Sequence, residues 1–225
     1  MPSGCVPGNV EAVAEALRRR YADYSHGNKR NPLSELLFIL CSIQTDEQAY
    51  TDTYRRLKRA FPTSESLLGA DRRSIASVMR DGGLYRQKAD AIWYIVRQLD
   101  RDFGAPSLAA LKQMSSDDAE KYLLSLHGVG VKTARCVMMY SLGHEVFPVD
   151  THCWRISRRL GWVRPTRPDR SCSAKDMNRL QAKIPREYRY SLHVNMVSLG
   201  RDVCQASHAK CERCVVSSYC KQIGV

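Results

Sequence analysis

The chain has 225 residues, of which 44% are hydrophobic and 26% charged, and it carries a formal charge of +12 at neutral pH. That length allows one large domain or two small ones, and that composition fits a folded globule, not a disordered or fibrous chain. The longest apolar run, Leu36–Cys41, is far shorter than the ~18 residues a membrane span needs. The opening stretch MPSGCVPGNVEAVAEALRRR lacks the basic, apolar, small-residue order of a secretory signal, so a cytoplasmic protein is expected. The positive excess serves solubility and also attracts phosphates over about a Debye length, which points to a polyanionic partner. Nine cysteines without an export signal do not read as a disulfide framework. In a reducing compartment, clustered cysteines more often hold metal.

The elements read as helices throughout. Asn9 or a neighbour caps a first helix through EAVAEALRRRYADY, and Asn31-Pro32 opens a buried helix, LSELLFILCSI. A third helix runs from about Asp46 to Ala60, with Phe61-Pro62-Thr63 as its stop and the next start. Leu67 to Arg80 forms two short helices, and Asp81-Gly82-Gly83 breaks the chain. Leu84 to Arg101 carries Ala91, Ile92, Ile95, Val96 and Leu99 at helical spacing. Ser115-Ser116-Asp117-Asp118 offers a capping box for AEKYLLSL. Val131 to Leu142, Thr151 to Leu160, Lys175 to Lys183 and Glu187 to Leu199 complete the set. No stretch alternates with period two, so an all-α fold is expected.

Cys204, Cys211, Cys214 and Cys220 lie within 17 residues, spaced C-x6-C-x2-C-x5-C. The C-x2-C pair lets two sulfurs face one centre, and four thiolates suit either tetrahedral zinc or a cubane iron–sulfur cluster. His208 lies in that loop as a surface group or as a neighbour of the ligands, not a ligand itself, since four sulfurs already fill the site. Cys5, Cys41, Cys136, Cys153 and Cys172 are scattered, mostly on apolar helix faces, and read as small buried hydrophobes.

Leu126-His127-Gly128-Val129-Gly130-Val131-Lys132-Thr133-Ala134 joins two of the expected helices through a glycine-rich turn. Such a turn is either a plain structural corner or a place where backbone N–H groups approach a phosphate. It is not a nucleotide P-loop, because a helix precedes it and Val131 stands where that motif needs glycine. Lys132 falls in the first turn of the following helix. Partial desolvation beside helix N-terminal N–H groups favours the neutral, nucleophilic amine, whereas the plainer reading is a solvated surface lysine. Asp150, in Phe147-Pro148-Val149-Asp150-Thr151-His152, stands where a helix begins. Capping and chemistry can coexist there, since a cap fixes the carboxylate's direction.

Together, LHGVGVKTA, VDTH and the cysteine quartet resemble the endonuclease III family of helix–hairpin–helix DNA glycosylases, which carry a Gly/Pro-rich loop and an essential aspartate. The resemblance extends to Pro32–Thr45 and to Gly83-Leu84-Tyr85-Arg86-Gln87-Lys88-Ala89, and so to nearly the whole chain. It implies a bifunctional enzyme of base excision repair that removes damaged bases, oxidised pyrimidines first, from duplex DNA and nicks the strand by β-elimination. Lys132 matches the lysine nucleophile and Asp150 the essential aspartate. Gln44 and Leu84 match side chains that fill the gap left by an extruded nucleotide. Gly128, Val129, Gly130, Val131 and Thr133 match the hairpin that holds DNA phosphates, with Arg201, Lys210, Arg213 and Lys221 as further phosphate contacts. Cys204, Cys211, Cys214 and Cys220 match a [4Fe-4S] ligand set.

The implied architecture is two helical lobes with a DNA-binding cleft between them. Residues 1–30 would pack with a C-terminal lobe of 146–225, whose cluster loop spans 204–220. A central lobe of 31–145 would hold the hairpin at about 118–143. The implied partner is double-stranded DNA bearing damaged bases or abasic sites, bound by a monomer acting on DNA in the cytoplasm. Related adenine-specific glycosylases need a Glu where Ile39 stands here, and carry Ser in place of Lys132. Mismatch- or alkylated-base removal on the same scaffold is the alternative activity, and a non-catalytic DNA-binding module is the alternative class. The chain departs from the family at Ser42-Ile43-Gln44-Thr45-Asp46, where Ser-Ala-Gln is commoner, and at Trp154, where an aliphatic residue is usual.

Overall fold

A computed structural model describes residues 6–167, 169 and 171–225. Among these residues are eleven α-helices: α1 (Val10–Tyr21), α2 (Pro32–Ser42), α3 (Glu47–Ala60), α4 (Ser64–Leu68), α5 (Arg72–Val78), α6 (Tyr85–Phe103), α7 (Ser116–Ser125), α8 (Val131–Val137), α9 (Thr151–Arg159), α10 (Ala174–Gln181) and α11 (Arg186–Asp202). No strand occurs among the described residues beyond one isolated bridge, Cys204 to Ala209. The fold is all-α. No described helix is long and apolar enough to cross a membrane.

Local chemistry sets most boundaries. Asn31 accepts from the Ser34 N–H at 2.9 Å and Pro32 follows at the first helical position, so α2 starts where the Asn-Pro pair requires. Asp46, Asp71, Asp150 and Ser173 cap α3, α5, α9 and α10 in the same way. At α7 the full capping box does not form. Ser115 accepts from the Asp118 N–H, and its own hydroxyl donates to the Asp118 carboxylate at 2.6 Å. At α1 Asn9 precedes the helix but does not cap it, because its side chain is bonded elsewhere: its Oδ1 accepts from Trp162 Nε1 and its Nδ2 donates to the Tyr219 carbonyl. That helix also stops at Tyr21, short of Tyr24, because Ala22 and Asp23 adopt left-handed backbone. The helix after the hairpin ends its α-helical part at Val137 and widens into a π turn over Met138–Leu142.

The chain divides into two compact units, one of residues 28–144 and one of residues 1–27 with 145–225. In the first, α2 is sheathed by α3, α6 and α8 and buries Pro32, Leu33 and every residue from Glu35 to Cys41. In the second, α11 packs against α1 and α9 around Phe147, Trp154, Ile156, Trp162, Leu192 and Met196. Trp154 is 6% exposed and belongs to this core, which gives the departure at that position a packing role.

Candidate functional site

In the 28–144 unit, the hairpin between α7 and α8 is built around one glycine. Gly128 has φ +76°, and a Cβ there would lie 3.0 Å from the Ala91 Cβ on α6. Any other residue meets both strain and a clash. Gly130 differs: its φ is −100° and nothing stands within 4 Å of where a Cβ would be. The fold does not demand glycine there, which leaves room for a group from outside the chain to approach the backbone. No side chain caps α8, so the first-turn N–H groups after Gly130 are not taken up by a cap. Val129 and Thr133 are buried, at 8% and 6% exposure, so only their main chains can face a ligand. A part-buried ion pair, Arg135 Nε to Glu120 Oε1 at 2.8 Å, ties α8 to α7. Lys132 is half-buried at the second position of α8. Glu35, fully buried on α2, accepts from the Asn28 side chain and the Lys29 N–H. Burial pushes its carboxyl up from the ordinary 4.5, against the pull of these bonds and of the Lys29 and Lys132 charges.

Gln44 and Leu84 lie on two abutting turns of the same unit. Both hold left-handed backbone, with φ +48° and +58°, a conformation that costs a non-glycine residue about 1–3 kcal/mol. Both side chains are exposed, Leu84 by 41%. Between them Gly83 permits close contact, since a Cβ there would lie 3.1 Å from the Gln44 carbonyl oxygen. An exposed leucine and an exposed glutamine are thus held on adjoining turns of strained backbone.

In the other unit, Asp150 caps α9, its Oδ1 accepting from the Cys153 N–H at 2.7 Å. The Phe147-Pro148-Val149 segment leading to it is buried. His193, 3% exposed on α11, bonds the Pro148 carbonyl through Nδ1 at 2.9 Å and lies 3.5 Å from the Cys153 sulfur. His152 stacks over Gly200, where a Cβ would lie 2.4 Å from its Nδ1. Burial pulls its imidazole down, against the upward pull of Asp150.

The four clustered cysteines line one small cavity with Arg159, Val203 and Ala209. All four are half-buried and none forms a disulfide. Arg159 donates to the Cys204 sulfur at 3.1 Å and to the Gln205 and Ala206 carbonyls, and the Gln222 N–H lies 3.4 Å from the Cys220 sulfur. Burial pushes the Cys214 and Cys220 thiols up, and the neighbouring sulfurs add to it. A soft four-sulfur set with N–H and guanidinium donors aimed at it suits a thiolate-ligated group. Among the described residues no three His, Cys, Asp or Glu side chains converge tightly enough for a single metal ion. His208 is exposed and bonded to Ser207. Arg201, Arg213 and Lys221 are exposed and Lys210 half-buried. Of the scattered cysteines, Cys41, Cys136 and Cys153 are buried, Cys172 is half-buried, and Cys5 lies outside the described residues.

The sequence reading passed over three residues: Glu35, Lys88 and His193. One of them left a trace. The apolar stripe Ile92, Ile95 and Leu99 of α6, carried back one turn, lands on Lys88, which is 3% exposed.

Residues 38–182 match the HhH-GPD superfamily of base excision DNA repair proteins. The chain belongs to that superfamily. It is 27% identical over 212 residues to endonuclease III of Thermotoga maritima, covering 94% of this chain and 92% of that protein. It is 36% identical over 169 residues to an Arabidopsis thaliana protein provisionally named a DNA glycosylase, covering 75% of this chain. The match takes in only 56% of that relative's length. Among solved structures, a trapped endonuclease III–DNA covalent intermediate superposes with a TM-score of 0.79 at 25% identity, covering 95% of each chain.

Proposed function

We propose that this member of the HhH-GPD superfamily is a bifunctional DNA glycosylase and abasic-site lyase that excises oxidised pyrimidines from duplex DNA. The observation that carries this reading is Lys132, a half-buried amine in the first turn of α8, directly behind the uncapped glycine hairpin. The covalent DNA intermediate of the structural neighbour supports a nucleophile on the protein.

A base inside a duplex is out of reach and has to be turned out, at a cost of a few kcal/mol that is smallest for a damaged pair. Gln44 and Leu84 fill the vacancy and offset part of that cost. The hairpin of Gly128, Val129, Gly130, Val131 and Thr133 holds the backbone phosphates through its other N–H groups, that of Val129 being taken by the Leu126 carbonyl at 3.1 Å. The neutral Lys132 Nζ attacks C1′ of the sugar; the glycosidic bond breaks and the base leaves with its electron pair, taking up a proton. The amine and ring-opened sugar form an imine. Loss of a C2′ proton then expels the 3′ phosphate and nicks the strand. Asp150, aimed by its bond to the Cys153 N–H, stabilises the positive charge that grows on the sugar and helps move its protons.

Cys204, Cys211, Cys214 and Cys220 hold a [4Fe-4S] cluster in this reading. The cluster supplies structural cross-linking, ordering the loop that presents Lys210, Arg213 and Lys221 to DNA. Purified protein should contain about four irons per chain; one zinc and no iron would refute the assignment.

The activity is tested by a panel of duplexes, each holding one oxidised, deaminated, alkylated or mismatched base. Fastest release of an oxidised pyrimidine, with nicking at the same site, is the expected result. Preference for an alkylated or mismatched base overturns the substrate assignment, and tight binding without turnover on any duplex overturns the enzyme.

A further inference from the structure

We propose that Lys88 is a positioning residue: its buried ammonium latches the Gln44 turn to the Leu84 turn, so that both side chains enter the emptied base stack together. This rests on the void-filling roles given above to Gln44 and Leu84.

Lys88 lies one turn into α6, its N–H bonded to the Leu84 carbonyl at 3.1 Å. Its side chain runs inward and is 3% exposed overall. There Nζ donates to the Cys41 carbonyl at 2.8 Å and to the Thr45 hydroxyl oxygen at 2.7 Å. The Thr45 hydroxyl in turn donates to the Ile43 carbonyl at 3.0 Å. The chain of donors therefore grips the backbone on both sides of Gln44, from an anchor on the helix that Leu84 begins.

A buried ammonium is costly unless something compensates it. No carboxylate pairs with Lys88 among the described residues. What it faces instead is the last turn of α2, where the free carbonyls concentrate the negative end of the helix dipole. Burial accordingly pulls its proton affinity down. An apolar residue would fill this place in α6 without such a penalty. What the lysine alone provides is a link across two turns whose residues are both held in left-handed backbone. Gly83 completes the joint, since any Cβ there would press on the Gln44 carbonyl oxygen at 3.1 Å and approach the Thr45 hydroxyl at 3.5 Å.

The test uses Lys88→Met, which keeps the stem and removes the donors, and Thr45→Val, which removes only the hydroxyl. Each is assayed for single-turnover excision from a fully paired lesion and from the same lesion in an unpaired bulge, where no stack needs filling. A 2-aminopurine beside an abasic site in duplex DNA reports insertion directly through its fluorescence. Both variants should lose about 10²-fold on the paired lesion, the scale of a small misplacement remote from the chemistry. They should lose the fluorescence rise, stay near the unmodified rate on the bulge, and the double variant should be no worse than either single one. Equal losses on both substrates would reduce Lys88 to a plain stabilising group and overturn the proposal, as would no loss on either. If Lys88→Met does not fold, Thr45→Val alone decides between these outcomes, because it leaves the lysine and its packing in place. Leu84→Ala is run beside them. If it fails to separate paired from bulged substrate, the void-filling reading falls and the latch with it; if it separates them and the latch variants do not, only the Lys88 assignment falls.

Discussion

Asp150 combines two duties in one side chain, and substitution can separate them. Asparagine caps helices about as well as aspartate, so Asp150→Asn should leave the bond to the Cys153 N–H and the melting temperature nearly intact. The missing negative charge should lower single-turnover excision by about 10²–10³-fold, the range of a lost electrostatic stabiliser. A variant that loses melting temperature in proportion to rate would make Asp150 a cap and nothing more. Glu35 gives a test by pH. Its carboxyl is fully buried and pushed above its ordinary 4.5, so the folded chain holds that proton more tightly than the unfolded one. The stability this contributes is present below 4.5 and is lost as pH rises through the elevated folded value. Glu35→Gln cannot ionise, so melting curves should show the variant gaining on the unmodified protein as pH climbs through that window. A constant difference between the two at every pH would contradict the assignment. Asp150 was legible in the sequence because its cap partner is three residues away. Lys88 and His193 were not, because their partners lie 47, 43 and 45 positions off, beyond anything periodicity or capping rules can reach.

At the scale of elements, the hairpin makes a sharp contrast between two glycines that look alike in the sequence. Gly128→Ala forces left-handed backbone on alanine and presses its methyl on Ala91 at 3.0 Å. It should cost at least about 1–2 kcal/mol and weaken DNA binding by misplacing the turn. Gly130→Ala meets nothing within 4 Å at an ordinary φ, so it should melt like the unmodified protein and weaken DNA binding alone, by crowding the phosphate. Comparable losses of melting temperature in both would show that Gly130 serves the fold and not a ligand. Helix starts were readable at Asn31 and Asp46, where a side chain bonds its own first turn, but not at Asp71, which caps α5 in the same way, and α4 lies at Ser64–Leu68, ahead of the expected start at Leu67. Reading failed where a distant group claimed the capping atom: Asn9 is spent on Trp162 and Tyr219. The π turn over Met138–Leu142 left no pattern to read, since its apolar residues keep near-helical spacing.

For the whole molecule, helical periodicity and the lack of period-two alternation were enough for the all-α fold. The division into units was not contained in any local pattern, because α1 packs on α11 across most of the length of the chain. It was the joint presence of hairpin, aspartate and cysteine quartet, read as a family resemblance, that carried the expectation of a two-lobed enzyme. Family membership now stands on the match over residues 38–182, while the chemistry rests on a single amine. A lysine nucleophile passes through an imine, so borohydride should trap a covalent adduct between the unmodified protein and a lesion-bearing duplex. Lys132→Ala should abolish both that adduct and strand nicking while duplex binding stays nearly intact, since one positive charge among many is lost. Trapping of Lys132→Ala at the unmodified rate would assign the nucleophile to another amine and contradict the mechanism.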